Sequence, residues 1–84
     1  MSNKEIDTLK KVISLGGSRF TSVVFTKKNG SVRRISFQPS RNKEARKDTQ
    51  IVVFDHSKKG YRTVNLDTVS EIRVNGLRMI TATN

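Results

Sequence analysis

Cysteine and tryptophan are absent, proline and histidine occur once each, and seven acidic residues stand against seventeen lysines and arginines in a chain of 84. Without cysteine there is neither a disulfide nor a thiolate metal site. A single histidine also rules out a zinc site within one chain, since zinc takes about four nitrogen or sulfur ligands, or three and a water. No apolar run approaches the roughly 20 residues that span a bilayer, and the first residues lack the apolar stretch of a secretion signal, so a soluble, cytoplasmic protein is expected. No cofactor is expected either, because Asn29-Gly30 and Lys59-Gly60 lack the Gly-x-x-x-x-Gly-Lys spacing of a phosphate-cradling loop. What the chain has in excess is positive charge, a formal +10, which points to a polyanionic partner with nucleic acid as the first candidate. Charge of this kind attracts phosphate and carries no base preference by itself.

The length suits one small domain, with a helical segment (1–17) laid on a β-rich body (18–84). Ser2 and Glu5 have capping-box spacing, and Ile6, Leu9, Val12 and Ile13 recur on one helical face while Lys4, Asp7, Lys10 and Lys11 stay outside. Gly16 and Gly17 end that helix. Phe20 to Lys27 and Val32 to Gln38 read as strands joined at Asn29-Gly30. If those two residues are the whole turn, Val24 lies opposite Ile35, Ser22 opposite Phe37 and Thr26 opposite Arg33, with Val23, Phe25, Val32 and Arg34 on the other face. Neither face is then purely apolar, which suits a bent barrel strand. Pro39 closes the strand, and 39–50 is a basic connector without a large aliphatic residue; a short exposed helix from Asn42 to Lys47 is the competing reading. Ile51 to Phe54 and Tyr61 to Asn65 form a second hairpin, Leu66 to Val69 one helical turn, and Glu71 to Val74 a strand with Ile72 and Val74 inward. After the turn Asn75-Gly76, Leu77 to Ala82 supplies a last strand.

Five or six short antiparallel strands behind one amphipathic helix describe a mainly β (α+β) fold, a small SH3-like or Sm-like barrel. The segments VVFTKKNGSVRRISF and VVFDHSKKGYRTVNLDTVSEIRVNG resemble the small, mostly bacteriophage-encoded proteins described as WYL-like or Sm-like barrels. The resemblance covers roughly residues 20 to 76 and implies a barrel fold, a phage or mobile-element origin and a bacterial host cytoplasm, without an assigned activity. The helix and the connector lie outside the shared pattern.

No pair of titratable groups has a recognisable catalytic arrangement, so no enzyme is expected. His56 beside Asp55 could be half of a general-base pair, but Ser57 and Gly60 favour a solvated turn there. Asp48, Asp55 and Asp67 match no metal-binding loop, and aspartates near turns usually satisfy local backbone groups; no metal site is expected. The cations cluster instead. Lys27, Lys28, Arg33, Arg34, Arg41, Lys43, Arg46 and Lys47 fall within 21 residues that hold one acid, Glu44, and Lys58, Lys59 and Arg62 make a second group. Hairpin tips that converge would join them into one positive surface. Phe25 and Phe37 belong to the core by their strand context, whereas Tyr61 beside a basic turn is the better stacking residue, with His56 also a candidate. The expected function is non-enzymatic binding of nucleic acid, DNA or RNA, through phosphate contacts from these residues. The alternative is a phage-encoded protein that docks on an acidic host protein with the same cations. A homo-oligomer built by pairing open strands is compatible with either.

Overall fold

A computed structural model describes residues 3–81. Ser2 of the capping box, the side chain of Lys4 and the Ala82 end of the last strand lie outside the described residues. The order is α1 (Asn3–Ser14), β1 (Thr21–Thr26), β2 (Val32–Phe37), a 3-10 turn (Pro39–Arg41), β3 (Gln50–Asp55), β4 (Gly60–Asn65), a 3-10 turn (Leu66–Thr68), β5 (Val69–Val74) and β6 (Leu77–Ile80). Ile6, Leu9 and Ile13 of α1 are buried and Val12 packs beside them, as the periodicity requires. Beyond the helix Gly17 takes a positive φ of 55°, while Gly16 faces Thr21 so closely that an added Cβ would stand 2.0 Å from its Oγ1. None of the helices described is long and apolar enough to cross a membrane.

Among the described residues the strands are antiparallel throughout and form two sheets, β2-β1-β5-β6 and β3-β4, with no closed barrel. The first hairpin corrects the expected register by one residue: Val23 pairs with Ile35, Thr21 with Phe37 and Phe25 with Arg33. The turn is wider than Asn29-Gly30. Lys27 N–H donates to Ser31 O at 2.8 Å, Gly30 N–H donates to Lys27 O at 2.9 Å, and Gly30 has φ 87°. This is the three-residue loop in which a type I turn is followed by a left-handed glycine. A slip of one residue exchanges the faces of a strand. Thr21, Val23, Phe25, Ile35 and Phe37 therefore share one buried face, and no bent strand is needed to explain the pattern.

Ser70 is an extra residue in β5, since Val24 pairs with Glu71 but Phe25 with Val69. The bulge lets Val69 and Ile72 both reach the interior and turns Glu71 to the outer face. At Asn75-Gly76 the two-residue turn has φ 51° and 80°, so Val74 pairs with Leu77 and Arg73 with Arg78. Val53 and Val64 of the small sheet complete one core with α1, the inner face of the large sheet and Leu66. The connector holds no helix at 42–47; Lys43 N–H donates to Val52 O at 2.9 Å and lays the segment along β3.

Candidate nucleic-acid interface

In the β3–β4 ladder, Ile51, Val53 and Asp55 face inward with Arg62 and Val64, leaving Phe54 opposite Tyr61, Val52 opposite Thr63 and Gln50 opposite Asn65 on the outer side. Phe54 and Tyr61 meet edge to face at 5.3 Å between ring centroids. His56 continues the row, 5.0 Å from Phe54 and 4.9 Å from Phe20, each again edge to face. The expected turn is present and exposed at 57–59, but the His56 ring itself is half-buried rather than solvated. Asp55 caps that turn without it, accepting from the Ser57 N–H at 3.0 Å and the Ser57 hydroxyl at 2.8 Å, so the imidazole is free to pack between the two rings. Its Nε2 is buried and has no hydrogen-bond partner among the described residues.

Two cations of the connector lie on this row. The Arg41 guanidinium stands 4.1 Å from the Phe54 centroid and the Lys43 ammonium 4.1 Å from that of Tyr61. Such contacts hold long side chains over aromatic faces while their charge stays available to an anion. Phe20 and Tyr61 remain 58% and 44% exposed, enough to offer ring surface to a ligand. Toward the other end of the ladder Gln50, Thr63 and Asn65 line a groove with Lys27, Lys28 and Thr68. On the connector side Lys10, Lys43 and Lys47 line a second groove, together with Glu44 and Asp48. The surface thus offers ring faces, amide and hydroxyl groups and lysines along one hairpin.

The other expected site residues are distributed differently. Arg33 Nη2 and Arg62 Nε each stand 3.5 Å from Asp55 Oδ2, at the seam where the two sheets meet. Burial pushes the Asp55 carboxyl up, but the Ser57 hydroxyl, the Lys58 and Ser57 backbone N–H groups and the charge of Arg33 outweigh it and hold the group below its ordinary value. Both arginines are thus paired with a buried carboxylate, their side chains 23% and 36% exposed. Arg34, one residue on, points to the opposite face and binds Glu71. Lys58 and Lys59 sit at the Asp55–Gly60 end of the β3–β4 ladder, and Lys27 and Lys28 at the Gln50–Asn65 end. Five residue rises, about 17 Å, separate those ends, so the two tips do not converge. Arg46 is exposed on the connector. Phe25 and Phe37 are core.

Phe54, Phe20, Arg73 and Arg78 were not among the expected site residues. In the apolar run Ile51-Val52-Val53-Phe54 no alternation reveals which residues face out. Arg73 and Arg78 were legible, because a two-residue turn at Asn75-Gly76 places them opposite each other. Compared with protein-family models, with curated proteins and with solved structures, the chain matches none.

Proposed function

We propose that this protein is a non-enzymatic module that binds single-stranded nucleic acid on the outer face of β3–β4. The observation that carries the reading is the row Phe20, His56, Phe54 and Tyr61 overlaid by Arg41 and Lys43. Bases stack on aromatic and guanidinium planes whatever their sequence, and neighbouring cations take the phosphates. Lys27, Lys28 and Lys47 extend the same surface, and Gln50 and Asn65 supply amides that can hydrogen-bond base edges. The net charge of +10 supports fast, salt-dependent association.

The finer assignment, an open SH3-like or Sm-like barrel of phage type, is a proposal of the same order. It is supported by the side-by-side approach of β2 and β3, clamped through Asp55, and by the one-turn helix before β5. Binding to single-stranded and double-stranded DNA and RNA, measured in parallel against salt, tests the function. Neutralising five phosphates on a single strand gives a slope of about −3.5 in log affinity against log salt, and single strands bind tighter than duplexes. A flat response, or no binding to any of the four at moderate salt, overturns it in favour of an acidic protein partner.

A further inference from the structure

The outer face of the four-stranded sheet carries a second cationic surface, which the reading above leaves unused. Strand register sets Arg34, Val24, Glu71 and Ile80 in one row across the sheet, and Ser36, Ser22, Arg73 and Arg78 in the next. Three guanidiniums close over one carboxylate. Arg34 Nη2 donates to Glu71 Oε2 at 3.1 Å, Arg73 Nε to the same oxygen at 3.3 Å, and Arg78 Nε to Oε1. The hydrogen bond from Arg78, with the charges of Arg78, Arg73 and Arg34, holds the Glu71 carboxyl below its ordinary value against the effect of burial.

Glu71 balances one of the three positive charges and leaves an excess of two. The hydrogen bonds that these guanidiniums make among the described residues all go to Glu71, while about half of each side chain stays exposed (50%, 49% and 61%). Each therefore presents further N–H groups to solvent in a position already set by the carboxylate. A planar donor fork held in advance loses little freedom when it takes a phosphate, whose oxygens match it in pairs. A second copy of this chain is a poor occupant, since it would bring the same three arginines and a net charge of +10. The inner faces of both sheets share one core, so this arginine face and the aromatic face of β3–β4 look away from each other.

We propose that Arg34, Arg73 and Arg78 form a second phosphodiester-binding face, so that one molecule holds two nucleic-acid strands at once. The inference rests on the nucleic-acid reading of the aromatic face. It adds a function to it, the bridging of strands by a monomer.

Bridging is read by capture of a fluorescent oligonucleotide on beads that carry a different, non-complementary oligonucleotide, with sedimentation establishing that the protein is monomeric. Wild-type protein captures the fluorescent strand. R73Q/R78Q loses capture by about tenfold or more, while its binding to one strand in solution weakens by less than about threefold. R41Q/K43Q loses capture as well, and weakens single-strand binding by about tenfold. R78Q alone changes only an exposed side chain of the edge strand β6 and is the fallback should the double variant not fold; it lowers capture by about threefold. Wild-type capture by folded R78Q and R73Q/R78Q overturns the proposal, as does capture that appears only where the protein dimerises. Polyglutamate that displaces the second strand as well as polyphosphate does also overturns it, in favour of a carboxylate partner. Strands bound but never bridged overturn this inference alone, whereas no binding to any strand overturns the nucleic-acid reading with it.

Discussion

Asp55 draws Arg33 and Arg62 together inside the seam between the sheets, whereas Glu71 draws Arg34, Arg73 and Arg78 together on an outer face. Both are guanidinium–carboxylate groups, but among the described residues Asp55 Oδ2 meets its arginines as 3.5 Å ion pairs without a hydrogen bond, whereas Glu71 is hydrogen-bonded by all three of its own. Asp55 is 2% exposed and spends one oxygen on the Ser57 turn and the other on two arginines from different sheets, so the group joins elements that share no ladder hydrogen bonds. Around Glu71 all the arginines come from one sheet that is already hydrogen-bonded, and the carboxylate adds no new connection between elements. It sets donors in place at a surface. The arginines of Asp55 thus join the two sheets, whereas those of Glu71 stay about half exposed on an outer face.

The largest effect expected from that contrast is at Asp55. Asp55→Ala removes the turn cap, the cross-sheet ion pair with Arg33 and the ion pair with Arg62 inside the small sheet, and should cost about 3 kcal/mol of unfolding free energy in a denaturant titration. Nucleic-acid affinity of the folded fraction should stay within about threefold, because neither Arg33 nor Arg62 lies on the aromatic row. A variant with undiminished stability would show that Asp55 does not clamp the sheets.

Next in size is Tyr61→Ala. Loss of one stacking ring should weaken single-strand binding by about tenfold with an unchanged salt slope, since no phosphate contact is removed. Stability should fall by less than about 1 kcal/mol, as the ring is 44% exposed. A change confined to the salt slope would move the binding surface away from this hairpin.

Acid separates the two carboxylates further. Both are held below their ordinary values of 3.8 and 4.5, so their interactions contribute in full above those values and are lost as pH falls through the lower, folded ones. Thermal midpoints should be flat with respect to these two groups near neutrality and decline below about pH 4. Asp55→Asn should remove one part of that decline and leave the part owed to Glu71.

What the sequence disclosed follows from how local each signal is. The helix, the single turn at Leu66–Thr68 and the Asn75-Gly76 hairpin rest on residues a few positions apart, and they stand where periodicity and turn chemistry put them, whereas a 3-10 turn at Pro39–Arg41 stands where a loop was expected. Register failed at Asn29-Gly30 because one dipeptide serves two loop lengths, and the hydrogen bonds of Lys27 and Ser31 that choose between them are not written in composition. The aromatic row was half visible. Tyr61, Arg41 and Lys43 carry sequence signals of their own, but their meeting with Phe54 depends on the connector lying along β3, a contact between Lys43 and Val52 that no local pattern announces. The arginines divided for the same reason, since only partners distant in sequence distinguish a clamp from a surface.

Arg33 and Arg34 give the smallest and sharpest comparison, because they are neighbours in one strand with opposite faces. Arg33 is the less exposed, its side chain 23% accessible against 50% for Arg34, and it pairs with Asp55 across the seam. Arg33→Gln should therefore lower stability by about 1 kcal/mol and leave the salt dependence of binding as it was. Arg34→Gln should do the reverse: little change in the denaturation midpoint, and a reduction of about 0.7 in the magnitude of the salt slope under conditions where two strands are held, since one phosphate contact is lost. If both variants shift the slope alike, the seam is open enough for Arg33 to reach phosphate, and the division between clamp and surface falls. If both act only on stability, Glu71 is a second clamp and its arginines belong with those of Asp55.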